Sequence, residues 1–173
     1  MKKVLWIEDN TDIEFNHLIA PVLLSGRYDL EVAHDATEAL EKLSVEHYDV
    51  VIFDLDLMPG RNEYLRAFYQ DQAGVDISGK NLGGELLRLW LGLSSDFDEE
   101  MAAALSLPDH RKLNKNSVGV LSVLADDFKN QNFFPDLELI DKVVVQKDYD
   151  TERDVLLALI EKVARQAAGE ARA

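Results

Sequence analysis

The segment that most restricts the fold of this chain is a short apolar run that ends on carboxylates. Val50–Phe53 is followed by Asp54 and Asp56, and the chain then breaks at Pro59. A short run rich in Val and Ile, bounded by turn residues, predicts a strand that is buried on both faces. Open α/β sheets bind their ligands at the carboxyl ends of the strands, so Asp54 is a candidate functional residue.

A second pair of acids, Glu8 and Asp9, ends a similar apolar run at Val4–Ile7. The carboxyl ends of parallel strands meet at one edge of a sheet, so both groups of acids are expected there. Carboxylates are the ligands that Mg²⁺ prefers in proteins. The pattern therefore suggests a site for a hard cation and a phosphoryl group.

Apolar runs and amphipathic stretches alternate along the chain, which predicts βαβ units and a parallel sheet with helices on both faces. The predicted strands are Lys3–Ile7, Leu30–Ala33, Val50–Phe53, Val118–Val123 and Lys142–Val145. The predicted helices are Asp12–Leu24, Asp35–Leu43, Leu82–Leu93, Glu99–Leu105 and Thr151–Ala167. The expected fold class is α/β, a doubly wound five-stranded parallel sheet.

Composition narrows the classes of function that the chain can have. Its 173 residues suffice for one domain, predicted over residues 1–165 with a frayed tail at 166–173. The chain has no cysteine, so disulfides and thiolate metal sites are excluded. A formal net charge of −15 opposes binding to nucleic acid phosphates and to anionic lipid. With neither a signal-peptide pattern nor a run long enough to span a membrane, we expect a soluble cytoplasmic protein.

The chain resembles the receiver domain of two-component response regulators. The segment Leu30–Leu55 fits the family's second strand, second helix and third strand without a gap, and an acid pair follows the first strand. Asp54 falls at the position of the family's phospho-accepting aspartate. Ser122 ends the fourth strand at the family's Ser/Thr position, and Lys147 ends the fifth at its lysine position.

The resemblance implies a chemical role for three of these residues. Asp54 would be the nucleophile that forms an acyl phosphate with a phosphoryl donor. Ser122 would hydrogen-bond one phosphoryl oxygen after modification. Lys147 would pair with another as a point charge on a flexible stem.

The resemblance also implies Mg²⁺ as cofactor. Glu8 and Asp9 would hold the ion directly or through water, together with Asp54 and the backbone carbonyl of Asp56. The charge of the ion would offset the repulsion between these acids and the incoming phosphoryl oxygens.

The sequence departs from the family in several loops. Pro59 stands five positions after Asp54, where the family usually has four, and residues are added near 61–80 and near 94–116. Asp148 follows Lys147 where the family usually has a proline, so a different loop is expected there.

The usual activation switch of the family is also absent. Val144 stands where many relatives carry a Tyr or Phe that rotates on activation, and Val123 replaces a small residue beside Ser122. We therefore expect the output signal to take another route.

The resulting prediction is a stand-alone response regulator, a signalling protein rather than an enzyme. It would be phosphorylated by a histidine kinase or a histidine phosphotransfer domain and would act on an unknown output protein, with homodimerisation possible. We expect no DNA-binding output domain after the last predicted helix.

Two alternatives are open. One is a pseudo-receiver adaptor that binds partners without phosphorylation. The other is a phosphatase of the haloacid dehalogenase type, because Phe53–Asp56 resembles that family's pair of aspartates one residue apart. Against the phosphatase, its nucleophile normally ends the first strand, and here it ends the third.

Several other residues receive structural interpretations. Gly83 and the glycine after it lack the spacing and the lysine of a phosphate-binding loop and are predicted to begin a helix. Trp90 is predicted to lie in the core. The aromatic residues Tyr64, Phe68 and Tyr69 either pack as a cluster over the site or form a partner surface.

Overall fold

A computed structural model describes residues 1–11, 16–72, 82–126, 143–148 and 150–170. Its strands are β1 (Lys2–Ile7), β2 (Tyr28–Ala33), β3 (Val50–Phe53), β4 (Val118–Ser122) and β5 (Val144–Gln146). Its α-helices are α1 (Ile19–Ser25), α2 (Ala36–Val45), α3 (Glu63–Gln72), α4 (Leu82–Trp90), α5 (Glu99–Leu105) and α6 (Val155–Glu170). Short 3₁₀-helices cover Asn16–Leu18, Asp109–Arg111 and Lys115–Ser117.

The strands form one parallel sheet in the order β2-β1-β3-β4-β5. β3 lies at its centre, paired with β1 on one side and with β4 on the other. The predicted five-stranded parallel α/β sheet is confirmed. This order brings the carboxyl ends of β1, β3, β4 and β5 to the same edge.

Alternating residues of the strands supply two separate cores, one on each face of the sheet. Leu5 and Ile7 of β1 pack in a core with residues of α2, α3, α4 and α5. Val4 and Trp6 of the same strand pack in the other core, with residues of α1 and α6. Successive side chains of a strand point to opposite faces, so a strand covered on both sides is apolar throughout.

The first α-helix is shorter than predicted, and its later start explains how Pro21 is tolerated within it. α1 begins at Ile19, which places Pro21 in the first turn, where the missing N–H would have no acceptor within the helix. Gly26 ends the helix with a φ of 64°, in the left-handed region. Residues 12–15 of the predicted helix lie outside the described residues.

α3 occupies part of the segment 61–80, in which the sequence shows no clear periodicity. Its N-terminus is capped by Asn62, whose Oδ1 accepts hydrogen bonds from the N–H groups of Tyr64 (3.0 Å) and Leu65 (3.2 Å). Leu65 and Phe68 are buried, and the residues around them are mostly polar. Two core residues are too few to produce a recognisable helical pattern. Residues 73–80 lie outside the described residues.

The predicted helix Glu99–Leu105 is present as α5, and Asp98 caps it by accepting a 2.8 Å hydrogen bond from the Met101 N–H. Trp90 is fully buried, as predicted, and its Nε1 donates to the Leu105 carbonyl at 2.8 Å. This bond ties the end of α4 to the end of α5.

The C-terminal elements differ slightly from their predicted bounds. β5 spans Val144–Gln146, and Lys142 lies outside the described residues. α6 continues to Glu170, so most of the segment predicted to fray is helical, and 171–173 are not described. Within the described residues, no helix combines the length and the apolar character that a membrane crossing requires.

Candidate functional site

Asp54 follows the central strand directly and is 2% exposed. Its N–H donates to the carbonyl of Ile7 at 3.0 Å, which extends the pairing of β3 with β1 by one residue. The strand thus fixes the backbone of Asp54 at the carboxyl edge of the sheet.

Ser122, the last residue of β4, contacts the carboxylate of Asp54 from the neighbouring strand. Its hydroxyl donates to Asp54 Oδ1 at 2.5 Å. The Ser122 hydroxyl oxygen itself accepts hydrogen bonds from the N–H groups of Leu55 (3.3 Å) and Leu124 (3.2 Å). Since both backbone partners are donors, the single hydroxyl proton is directed at Asp54.

Lys147 approaches the same carboxylate from the end of β5. Its Nζ lies 2.7 Å from Asp54 Oδ2 and also forms an ion pair with Glu8. The backbone N–H of Lys147 donates to the Ser122 carbonyl at 3.1 Å, which anchors the lysine to β4. The ammonium group is therefore buried between two carboxylates.

Glu8 and Asp9 complete an acidic cluster at the end of β1. Glu8, Asp9 and Asp54 each offer one carboxylate oxygen, and these three oxygens lie within 4.8 Å of one another. The N–H of Glu8 donates to the Ala33 carbonyl at 2.9 Å, and its Oε1 accepts from the N–H of Asn10 at 3.2 Å. The sequence-predicted residues Glu8, Asp9 and Asp54 thus lie together.

The crowding of acids in this buried place shifts their protonation. Burial raises the pKa of Glu8 to about 8, and the charge of Asp54 adds to the effect. Burial likewise raises the pKa of Asp9 to about 6, with contributions from Asp54 and Asp56. Burial alone would lower the pKa of Lys147, but the charges of Asp54 and Glu8 raise it above its ordinary value.

The donor set fits a hard divalent cation. It consists of carboxylate oxygens, which Mg²⁺ prefers. After burial, the charge of Asp54 is the next largest cause of the raised pKa values of Glu8 and Asp9, so an added cation would favour the ionised cluster. Asp56, the remaining predicted ligand residue, is exposed, and its N–H donates to Asp54 Oδ1 at 3.1 Å. That bond holds the loop after Asp54 close to the cluster.

The loop that contains Pro59 is fastened to the start of α2. The hydroxyl of Thr37 donates to the Pro59 carbonyl at 2.8 Å and accepts from the Asn62 N–H at 2.9 Å. Gly60 has a φ of 71°, and a Cβ there would lie 2.3 Å from Asp35 Oδ1. Sequence reasoning did not identify this role of Thr37, because a threonine inside a helix gives no local sign of a distant loop.

Gly83, at the start of α4, packs against the backbone of Asp54. A Cβ at this position would lie 2.3 Å from the Asp54 carbonyl oxygen, and the N–H of Gly83 donates to the Leu55 carbonyl at 3.2 Å. The predicted helix start is correct, but this contact was not predicted. A glycine inside a helix is unfavourable, so its presence in this predicted helix could have indicated that another backbone packs closely against it.

After Lys147, two hydrogen bonds join Asp148 to Thr151. The N–H of Asp148 donates to Thr151 Oγ1 at 2.6 Å, and the Thr151 N–H donates to the Asp148 carbonyl at 3.0 Å. Val144 is buried in the core on one face of the sheet. An aliphatic side chain thus fills this position in the core.

No protein-family model matches the chain. The sensor protein EvgS of Escherichia coli (strain K12) is 24% identical over 137 residues, which cover 74% of this chain but span only 11% of the length of EvgS.

Two solved structures share the architecture along almost the whole chain. A CheY-like response regulator receiver domain protein from Methanospirillum hungatei JF-1 has a TM-score of 0.55 at 19% identity, covering 98% of each chain. A Francisella response regulator receiver domain has a TM-score of 0.52 at 21% identity, covering 98% of this chain and 99% of the other. The chain therefore has the fold of response regulator receiver domains.

Proposed function

We propose that this chain is a receiver that accepts a phosphoryl group on Asp54 in a Mg²⁺-dependent reaction. The observation that carries the proposal is the position of the Asp54 carboxylate, bonded by Ser122 at one oxygen and by Lys147 at the other. A receiver needs a nucleophilic carboxylate, together with a hydroxyl and a cation that can bind the phosphoryl oxygens. Asp54, Ser122 and Lys147 supply these three groups, and Ser122 and Lys147 each lie within hydrogen-bonding distance of the Asp54 carboxylate.

In the proposed reaction, one carboxylate oxygen of Asp54 attacks the phosphorus of the donor. The new oxygen–phosphorus bond forms as the bond from phosphorus to the donor's leaving group breaks, and that group departs with the electron pair. The product is an acyl phosphate on Asp54. Burial excludes bulk water from the carboxylate.

Glu8, Asp9, Asp54 and the backbone carbonyl of Asp56 would hold the Mg²⁺ ion. When bound, the ion offsets repulsion between these acids and the incoming phosphoryl oxygens. Before binding, Lys147 neutralises part of this charge through its ion pairs with Glu8 and Asp54.

After transfer, Ser122 and Lys147 exchange their bonds to Asp54 for bonds to phosphoryl oxygens. A shift of the Ser122 hydroxyl weakens its bonds to the N–H groups of Leu55 and Leu124. The loop that follows β4 then changes conformation, which supplies an output route without a rotating aromatic residue at Val144.

The proposed signalling role is that of a stand-alone response regulator. Its donor would be a histidine kinase or a histidine phosphotransfer domain, and its output would be contact with another protein in the cytoplasm, with homodimerisation possible. Residues 1–165 would form one domain in which the segments near 61–80 and 94–116 are additions to the common receiver pattern. The match to part of EvgS, described as a sensor protein, supports a place in signal transduction.

The pseudo-receiver adaptor is the second candidate, favoured by the buried ion pair between Lys147 and Glu8, which partly neutralises the site without an added ion. Fluorine NMR with Mg²⁺ and beryllofluoride separates the two. A receiver gives bound fluoride resonances that disappear in Asp54→Asn, whereas an adaptor with a collapsed site gives none. Steady turnover of small phosphate esters would instead favour the phosphatase of the haloacid dehalogenase type.

A further inference from the structure

A groove opens on the surface between α3 and α5, with a cavity of about 380 Å³. Both helices lie in segments that the sequence marks as additions to the common receiver pattern. The described residues that line the groove are Glu63, Tyr64, Ala67, Asp98, Glu100 and Met101.

The walls of the groove are held in place by contacts between the two helices and their flanking residues. The ring of Phe68 packs on Phe97, with centroids 4.6 Å apart. The hydroxyl of Tyr64 donates to Glu100 Oε1 at 3.1 Å. Because both aromatic rings of the pair are buried, the groove is formed before any partner arrives, which lowers the entropic cost of binding.

The lining combines an acidic rim with an apolar floor. Glu63, Asp98 and Glu100 supply three carboxylates, and Ala67 and Met101 supply apolar surface. Each charged residue in the described lining is acidic. This combination complements a long basic side chain, whose methylene groups contact apolar surface while the charged end meets carboxylates.

Arginine fits such a groove better than lysine. Its planar guanidinium bonds carboxylates through two N–H groups and stacks on aromatic rings, and Tyr64 offers a ring beside Glu100. The net charge of −15 further attracts basic proteins and repels nucleic acids.

We propose that the groove between α3 and α5 binds a basic segment of a partner protein, with an arginine side chain inserted between the two helices. None of the lining residues belongs to the acidic cluster around Asp54. The proposal therefore stands or falls separately from phosphorylation.

Selection from a random dodecapeptide phage library on the immobilised protein tests this proposal. We expect the enriched peptides to contain arginine flanked by apolar residues. Their affinity should fall about tenfold for the double variant Glu63→Gln/Glu100→Gln, since each exposed charge pair contributes modestly. The matched control, Glu99→Gln/Glu152→Gln, removes two exposed acids outside the lining and should leave the affinity unchanged.

A second variant, Ala67→Trp, fills the groove without changing its charge and should weaken the same peptides, with circular dichroism verifying that each variant is folded. Enrichment of peptides that lack basic residues, equal affinity for both double variants, or no enrichment would overturn the proposal. So would self-association of the wild type that Glu63→Gln/Glu100→Gln abolishes, because the occupant would then be a second copy of this chain.

Discussion

The ammonium nitrogen of Lys147 lies 2.7 Å from Asp54 Oδ2 and is also paired with Glu8, so one buried cation bridges the ends of β1, β3 and β5. The carboxylates of Glu8 and Asp54 at this edge of the sheet share the single positive charge of Lys147. Removing the lysine would leave two buried carboxylates without their cation.

Replacing Lys147 by Met should lower the free energy of unfolding by about 3 kcal/mol, because breaking a buried ion pair at one partner leaves uncompensated charge. Urea denaturation without Mg²⁺ measures this. Lys112→Met is the control, since Lys112 pairs with Asp109 on the surface and should matter little. Equal small effects of the two substitutions would contradict the assigned role of Lys147.

Metal-free stability should depend on pH through Glu8. Its native pKa of about 8 lies above its ordinary value of 4.5, so the native state holds this proton more tightly than the unfolded chain. The stability from this group is complete below pH 4.5 and is lost as pH rises through about 8. Thermal unfolding at a series of pH values measures this. Between pH 4.5 and about 8, the unfolding temperature should decline less for Glu8→Gln than for the wild type.

Mg²⁺ affinity should change with pH in the opposite direction. Protons compete with the ion for Glu8 and Asp9, whose pKa values are about 8 and about 6, so affinity should rise as pH increases between these values. Calorimetric titration with MgCl₂ measures this. In Glu8→Gln the upper part of the rise should disappear, and an affinity that is independent of pH in the wild type would count against these ligands.

Gly83→Ala should destabilise the protein by about 1–3 kcal/mol, because its Cβ would meet a backbone oxygen of Asp54 that cannot move freely. It should also slow phosphorylation by displacing Asp54. Gly169→Ala in α6 is the control: a Cβ there meets nothing within 4 Å, so this change should be neutral or slightly stabilising. Chemical denaturation of both variants decides the matter, and equal stabilities would disprove the close approach.

The sequence predicted most of the sheet, and the gathering of Glu8, Asp9 and Asp54 at one edge of it, for a physical reason. A strand covered on both faces must be apolar throughout, so Val50–Phe53 is recognisable locally, and the acids that follow such strands gather at one edge. Asp54 was a candidate from its place at the end of a predicted strand, whereas its role as acceptor and the choice of Ser122 and Lys147 came from the resemblance to receivers.

Contacts that join distant segments were not accessible in this way. Three such contacts depend on the folded arrangement: the hydrogen bond from Thr37 to Pro59, the close approach of Gly83 to Asp54, and the ion pair of Lys147 with Glu8. α3 was missed because, among those of its residues whose burial the structure describes, only Leu65 and Phe68 are buried.

The most direct measurement of the central claim is the intact mass of the protein after incubation with acetyl phosphate and Mg²⁺. We expect the addition of one phosphoryl group to the wild type, and no addition to Asp54→Asn or to the wild type in EDTA. An unmodified wild type, or the same addition on Asp54→Asn, would contradict the assignment of Asp54 as the phosphoryl acceptor.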